Sequence, residues 1–349
     1  MYFPIVIVLF VALANAESNS IIQGPEECYG GVCLPKHLCP TGIQGEDGVP
    51  TIRIDEDNAC ADFMKVCCKE STSNSTIVEI MEQTANNSNQ KCGISNPQGL
   101  VYNVESNLTY AKYAEFPWTV AILQKSSSSD PAELTLVGAG TLIHPKFVLL
   151  AAHTLQGAHR YVARFGEWNM NSDAEIYPSQ DIEIEAHFLH PEYIDAIPPE
   201  NDIALGVLQE TVIYSDHIRP LCLPSARDVF DRKRCIATGW GLDIRTEQPP
   251  SVMKRIEMNV WSQNLCEIVS KLAPLRLKDR LICANTDEYQ NTCMKDGGAP
   301  LACQRDDGSY VLAGISSWVV YYRSPGFPAA YVDVAKYSTW INNIVHELD

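Results

Sequence analysis

Three stretches of this chain hold the residue types of nucleophilic acyl transfer. In that chemistry one group attacks a carbonyl, a second takes its proton and a third orients the second. His153 closes the apolar run Leu149-Leu150-Ala151-Ala152-His153 and has the type of a general base. Asp202, in Asn201-Asp202-Ile203-Ala204-Leu205, has the type of the group that orients an imidazole. The third stretch, Cys293-Met294-Lys295-Asp296-Gly297-Gly298-Ala299-Pro300, is a glycine turn without serine or threonine. Gly297 carries no side chain and cannot attack a carbonyl. Elsewhere, Glu167, Asn169, Asn171, Ser172, Asp173 and Glu175 gather hard oxygen donors in one loop. Ca2+ takes such donors, with Glu167 and Asn169 as candidate ligands, and a solvated acidic loop is the alternative.

Positioning such groups requires a rigid scaffold. At 349 residues and 46% hydrophobic content, the chain has room for two domains and one sizeable core. A formal net charge of −17 argues against nucleic acid and against anionic membrane surfaces as partners. Residues 1–16 form an apolar run ending Ala14-Asn15-Ala16, read as a cleaved signal peptide. That run is too short to span a bilayer, and no later stretch reaches ~20 apolar residues, so no membrane insertion is expected. Secretion is expected instead. With it come disulfides among the 13 cysteines, whose odd number leaves one over. Asn74, Asn86 and Asn107 each head an Asn-x-Ser/Thr glycosylation sequon.

Short alternating runs at residues 118–123, 134–143 and 147–151 read as strands, punctuated by Pro145, Gly157 and Gly166. The pattern suits an all-β sandwich or barrel. Residues 337–348 place Trp340, Ile341, Ile344 and Val345 on one helical face. Nearer the N-terminus, Cys28, Cys33, Cys39, Cys60, Cys67 and Cys68 crowd into a span too small for its own apolar core. Bridges must therefore constrain it. Six cysteines allow 15 pairings and spacing alone does not choose among them. A zinc site is disfavoured by the oxidising compartment and by the lack of ligand-spaced histidines. Residues 70–91 are rich in Ser, Thr, Asn, Gln and Glu and read as a flexible linker.

Residues 293–300 resemble the nucleophile loop of trypsin-like serine proteases, Gly-Asp-Ser-Gly-Gly-Pro, with Gly297 at the serine. The His153 and Asp202 motifs match that family's base and orienter, in the same chain order. Cys92-Gly93-Ile94-Ser95-Asn96-Pro97 followed by Glu115-Phe116-Pro117-Trp118 resembles the entry into the protease-like domain of clip-domain serine protease homologues. The N-terminal cysteines, with the adjacent pair Cys67-Cys68, resemble a clip domain. The resemblance implies a clip domain at 27–69, the linker, and a trypsin-like protease homologue domain at 92–349. The expected fold is mainly β, a chymotrypsin-like double six-stranded Greek-key β-barrel with a C-terminal helix. The implied bridges are Cys28–Cys67, Cys33–Cys60, Cys39–Cys68, Cys92–Cys222, Cys235–Cys303 and Cys266–Cys283.

Departures from the family pattern point away from catalysis. Where the family bridges two cysteines beside the catalytic histidine, this chain has Gly138-Ala139-Gly140 and Thr154. Cys293 has lost its partner to Tyr322 and is the candidate free cysteine, either a buried thiol or one arm of an intermolecular bridge. Lys295 replaces an oxyanion-hole glycine. No Arg-Ile-Val-Gly-Gly sequence precedes Trp118 to supply an ammonium for Asp296. In the specificity pocket, Asn291 stands for a floor aspartate and Val319 for a wall glycine. The expectation is a catalytically inactive homologue needing no cofactor, although related proteases bind Ca2+ in the loop of Glu167.

The resemblance further implies a cofactor or regulator of an extracellular cascade, in prophenoloxidase activation and melanisation. Its partners would be clip-domain proteases and prophenoloxidase in the haemolymph, and the resemblance implies assembly into an oligomer. A pattern-recognition or adhesion module for microbial surfaces is the alternative, and an active endopeptidase a distant one. Such cofactors are often cut by an active protease. Arg53 is the one basic residue between Cys39 and Cys60, an interval expected to be an exposed loop, so trypsin-like cleavage is predicted after it.

Overall fold

The computed structural model describes residues 26–39, 49–54, 59–69, 91–105, 110–126, 134–157, 159–196, 198–241, 250–272, 280–286, 297–319 and 328–348. The signal peptide, residues 70–90 of the linker, all three sequons, and Asn291, Cys293, Lys295, Asp296 and Tyr322 lie outside the described residues.

The cysteine-rich region is built on strands β1 (Glu27–Cys28), β2 (Gly31–Pro35) and β4 (Lys65–Cys68), in the antiparallel order β1-β2-β4. Bridges Cys28–Cys67, Cys33–Cys60 and Cys39–Cys68 fasten it. Among the described residues, the one cluster of three or more His, Cys, Asp or Glu side chains close enough to share a metal is Cys28, Cys33 and Cys60, and all three sulfurs are spent in disulfides. The zinc alternative is removed by that pairing. Strand β3 (Thr51–Arg53) leaves this sheet and pairs in parallel with β5 (Asn103–Glu105), beyond the linker.

Two closed barrels follow. The first has the order β10-β11-β8-β7-β6-β9, built from β6 (Thr119–Lys125), β7 (Leu134–His144), β8 (Phe147–Leu150), β9 (Tyr161–Phe165), β10 (Gln180–Leu189) and β11 (Ala204–Leu208). The second has the order β12-β13-β14-β17-β16-β15. Its strands are β12 (Arg234–Gly239), β13 (Lys254–Val260), β14 (Leu281–Asn285), β15 (Pro300–Gln304), β16 (Tyr310–Val319) and β17 (Ala329–Asp333). Helix α1 (Gln263–Leu272) joins β13 to β14, and α2 (Ser338–Leu348) ends the chain.

Strand β13 shows why the sequence folds this way. Ile256, Met258 and Val260 alternate inward while Glu257 is exposed, the period-2 pattern of a half-buried strand. Val120, Ile122, Leu142, Val148 and Leu150 fill the first barrel, and Ile256, Met258, Leu301 and Tyr331 fill the second. Between them, Trp118, Leu149, Leu205 and Ile315 form a shared core. The expected face of α2 closes it, with Ile341 fully buried and Trp340, Ile344 and Val345 packed against it. Cys92–Cys222, Cys235–Cys303 and Cys266–Cys283 brace the two-barrel unit.

The cysteine-rich region is not merely tethered to the barrels. Ile52 and Met64 are buried in the same core as Tyr102, Tyr113 and Trp168. Phe63 meets the edge of Trp168 at 6.3 Å between ring centroids. Ser172 Oγ donates to Asp62 Oδ2 at 2.5 Å, and Lys65 lies 3.3 Å from Asp173. Within the Cys39–Cys60 interval, where the sequence predicts an exposed loop, the described residues 51–53 form a strand with Ile52 buried and Arg53 exposed. Thr51-Ile52-Arg53-Ile54 alternates as a strand does, and Ile52 gains more by burial than by forming part of a loop.

Candidate functional site

His153 sits in a short turn directly after β8, and Asp202 directly precedes β11, the strand hydrogen-bonded to β8. Pairing of the two strands brings the side chains together. His153 Nδ1 lies 2.6 Å from Asp202 Oδ2, and the His153 backbone N–H donates to Asp202 Oδ1 at 2.9 Å. A third contact, which sequence reasoning missed, comes from the second barrel: Ser317 Oγ donates to Asp202 Oδ2 at 2.5 Å. Asp202 is buried, and each of its oxygens has a donor. Asn201 beside it adopts φ 50°, a left-handed conformation that asparagine tolerates. Its side chain donates to Glu192 O and accepts from Arg280 and from Tyr337, whose hydroxyl pKa is raised by burial to about 12. Asp202 is held in place by its neighbour.

Gly297 completes the cluster but leaves no room in it. Its carbonyl accepts from Ala139 N at 2.9 Å, and a Cβ built on it would lie 2.3 Å from His153 Nε2. The imidazole therefore occupies the space that a side chain at 297 would need. Gly298 is also required to be glycine: its φ is +87°, and a Cβ there would come within 2.0 Å of Ala139 O. Beside them, a Cβ on Gly138 would stand 3.5 Å from Thr154 Cβ, a separation found between bridged cysteines. Here Thr154 fills the gap and donates its hydroxyl to Ala151 O at 2.6 Å. Among the described residues, none is placed to form an acyl bond with His153 as base. Val319 ends β16, in register with Ala329.

Arg53 is the last residue of β3, and its guanidinium lies 2.9 Å from Glu105. The acidic loop divides its donors. Asp173 turns to Lys65, Ser172 to Asp62, and Asn169 Oδ1 accepts from Asn171 N. Glu167 and Glu175 are left as a converging pair. Glu175 accepts from the backbone N–H groups of Trp168 and Asn169, and Glu167 faces Arg164 at 3.5 Å. Burial raises both carboxyl pKa values, Glu175 most strongly, where the charge of Glu167 adds to the shift. Both carboxylates are oxygen donors of the kind Ca2+ takes, and their oxygens are engaged by the backbone N–H groups of Trp168 and Asn169 and by Arg164. The side-chain oxygen of Asn169 is already engaged within its own loop.

The family model described as Trypsin matches residues 107–341. Over 329 residues the chain is 44% identical to the inactive CLIP domain-containing serine protease A8 of Anopheles gambiae, covering 91% of this chain and 89% of that protein. It is 36% identical to inactive CLIP domain-containing serine protease A28 of the same mosquito, over 98% of this chain and 95% of the relative. Phenoloxidase-activating factor 2 of Galleria mellonella is 33% identical, over 73% and 88% respectively.

Proposed function

As this chain belongs to the trypsin family, and within it to the non-catalytic clip-domain protease homologues, we propose that it works by binding, as a cofactor or regulator of an extracellular protease cascade. The observation that carries this reading is the seat of Gly297 against His153, where a nucleophile has neither an atom nor a space. We take Gly297 as the nucleophile position, with His153 and Asp202 kept as a structural pair. Removing either would leave the other's buried hydrogen-bonding groups unsatisfied. A fold without its chemistry still presents a surface, and function lives in such sites rather than in the fold.

The proposed partners are clip-domain proteases and prophenoloxidase, supported by the phenoloxidase-activating factor among the relatives. The six disulfides support an extracellular setting, and among the described residues no helix is long and apolar enough to cross a membrane. Arg53 is the proposed processing site and Glu167 with Glu175 the proposed Ca2+ ligands.

The test is a reconstitution of prophenoloxidase with its activating protease, with and without this protein, intact or cut after Arg53. Phenoloxidase output that rises only with the protein supports the cofactor reading, and output that falls identifies a negative regulator. No change in either form removes the cascade reading and leaves recognition of microbial surfaces.

A further inference from the structure

We infer that docking of the cysteine-rich domain on the barrels is an autoinhibitory latch that guards the Arg53–Ile54 bond. The inference rests on Arg53 as the processing site and adds what controls access to it. A protease must take the residues on both sides of a bond into its cleft, which is why exposed loop tips are the usual sites of nicking. Here the N–H of the bond itself is engaged, Ile54 N donating to Glu105 O at 3.4 Å. One residue before Arg53, the Ile52 side chain is fully buried. Farther along, Lys36 Nζ holds the carbonyl of Thr51 at 3.1 Å, and Asn103 N holds that of Pro50 at 3.0 Å. The bond is thus stitched to both domains.

The latch has a second anchor on the acidic loop, where Phe63, Asp62 and Lys65 meet Trp168, Ser172 and Asp173. Closure is set by burial at Ile52, Phe63 and Met64. The Arg53–Glu105 ion pair adds little, because both side chains are more than half exposed. Cutting then follows the population of the undocked state, as proteolysis does when opening is fast.

The experiment compares trypsin cleavage after Arg53 in the full-length protein with cleavage of a synthetic peptide of residues 48–58, each read by the appearance of an Ile54 N-terminus. Hydrogen exchange of residues 51–54 is followed in parallel. The peptide should be cut at least a hundredfold faster than the intact protein. Phe63→Ala, which loosens the dock away from the cut, should speed both cleavage and exchange at least tenfold. Glu105→Gln should change cleavage less than about threefold. A protein cut as fast as the peptide overturns the latch, as does a Phe63→Ala variant whose exchange rises while its cleavage does not. The N-terminus of the naturally processed protein tests Arg53 separately: a start at Glu70 or Cys92 would remove the site and leave the latch to the trypsin rates.

Discussion

At the residue scale, the decisive contact is between a glycine and an imidazole. Because a Cβ at position 297 would lie 2.3 Å from His153 Nε2, Gly297→Ser should not restore catalysis. The serine would have to displace a ring that Asp202 holds through its Nδ1 and backbone N–H. A fluorophosphonate probe should leave the Gly297→Ser protein unlabelled, and stoichiometric labelling would refute the packing account. Asp202 should matter for stability instead. Asp202→Ala strands His153 N, His153 Nδ1 and Ser317 Oγ, and should cost about 1–3 kcal/mol in urea unfolding.

At the element scale, two carboxyl sites, Asp333 and the Glu167–Glu175 pair, make the fold sensitive to its medium. Asp333 caps the turn ahead of α2 by accepting from Ala335 N, and burial raises its pKa from 3.8 to about 6. With the folded pKa above the unfolded one, the protonated form favours the fold. Its contribution therefore grows as pH falls from above 6 toward 4 and is lost as pH rises through 6. Asp333→Asn keeps a capping oxygen and should raise the melting temperature at pH 8 more than at pH 5. Glu167 and Glu175 supply the other case. Millimolar Ca2+ should raise the melting temperature of the protein, EDTA should reverse it, and Glu175→Gln should abolish the response. An unchanged melting curve would assign the loop to docking alone.

At the scale of the whole molecule, three kinds of link hold one body together: the shared core between barrels, the Thr119–Thr238 hydroxyl contact across it at 2.7 Å, and the leading segment clamped by Cys92–Cys222. That bridge closes a span of 130 residues, so its removal frees much of the unfolded chain. The paired Cys92→Ser and Cys222→Ser substitution should cost about 5 kcal/mol, read as a lower denaturant midpoint. It should also loosen β5, which lies in the clamped segment and carries β3.

The sequence by itself determined short strands and a C-terminal helix, because these are local facts; the double barrel and the place of Gly297 were implied by the family resemblance. Alternation along β13 and the apolar face of α2 need only near neighbours to be legible. A glycine is incapable of attack wherever it stands. The family resemblance supplied bridges that spacing could not choose. Only the tertiary structure decided what residues 51–54 do. Thr51 to Ile54 alternates like a strand, but a run of four residues cannot name its partner, and β5 lies about fifty residues away across the linker. The same holds for Ser317 against Asp202 and for the acidic loop. Ser172 and Asp173 are donors in a list until Asp62 and Lys65 come to meet them. Long-range contacts of this kind depend on the whole chain closing, and no window of the sequence contains them.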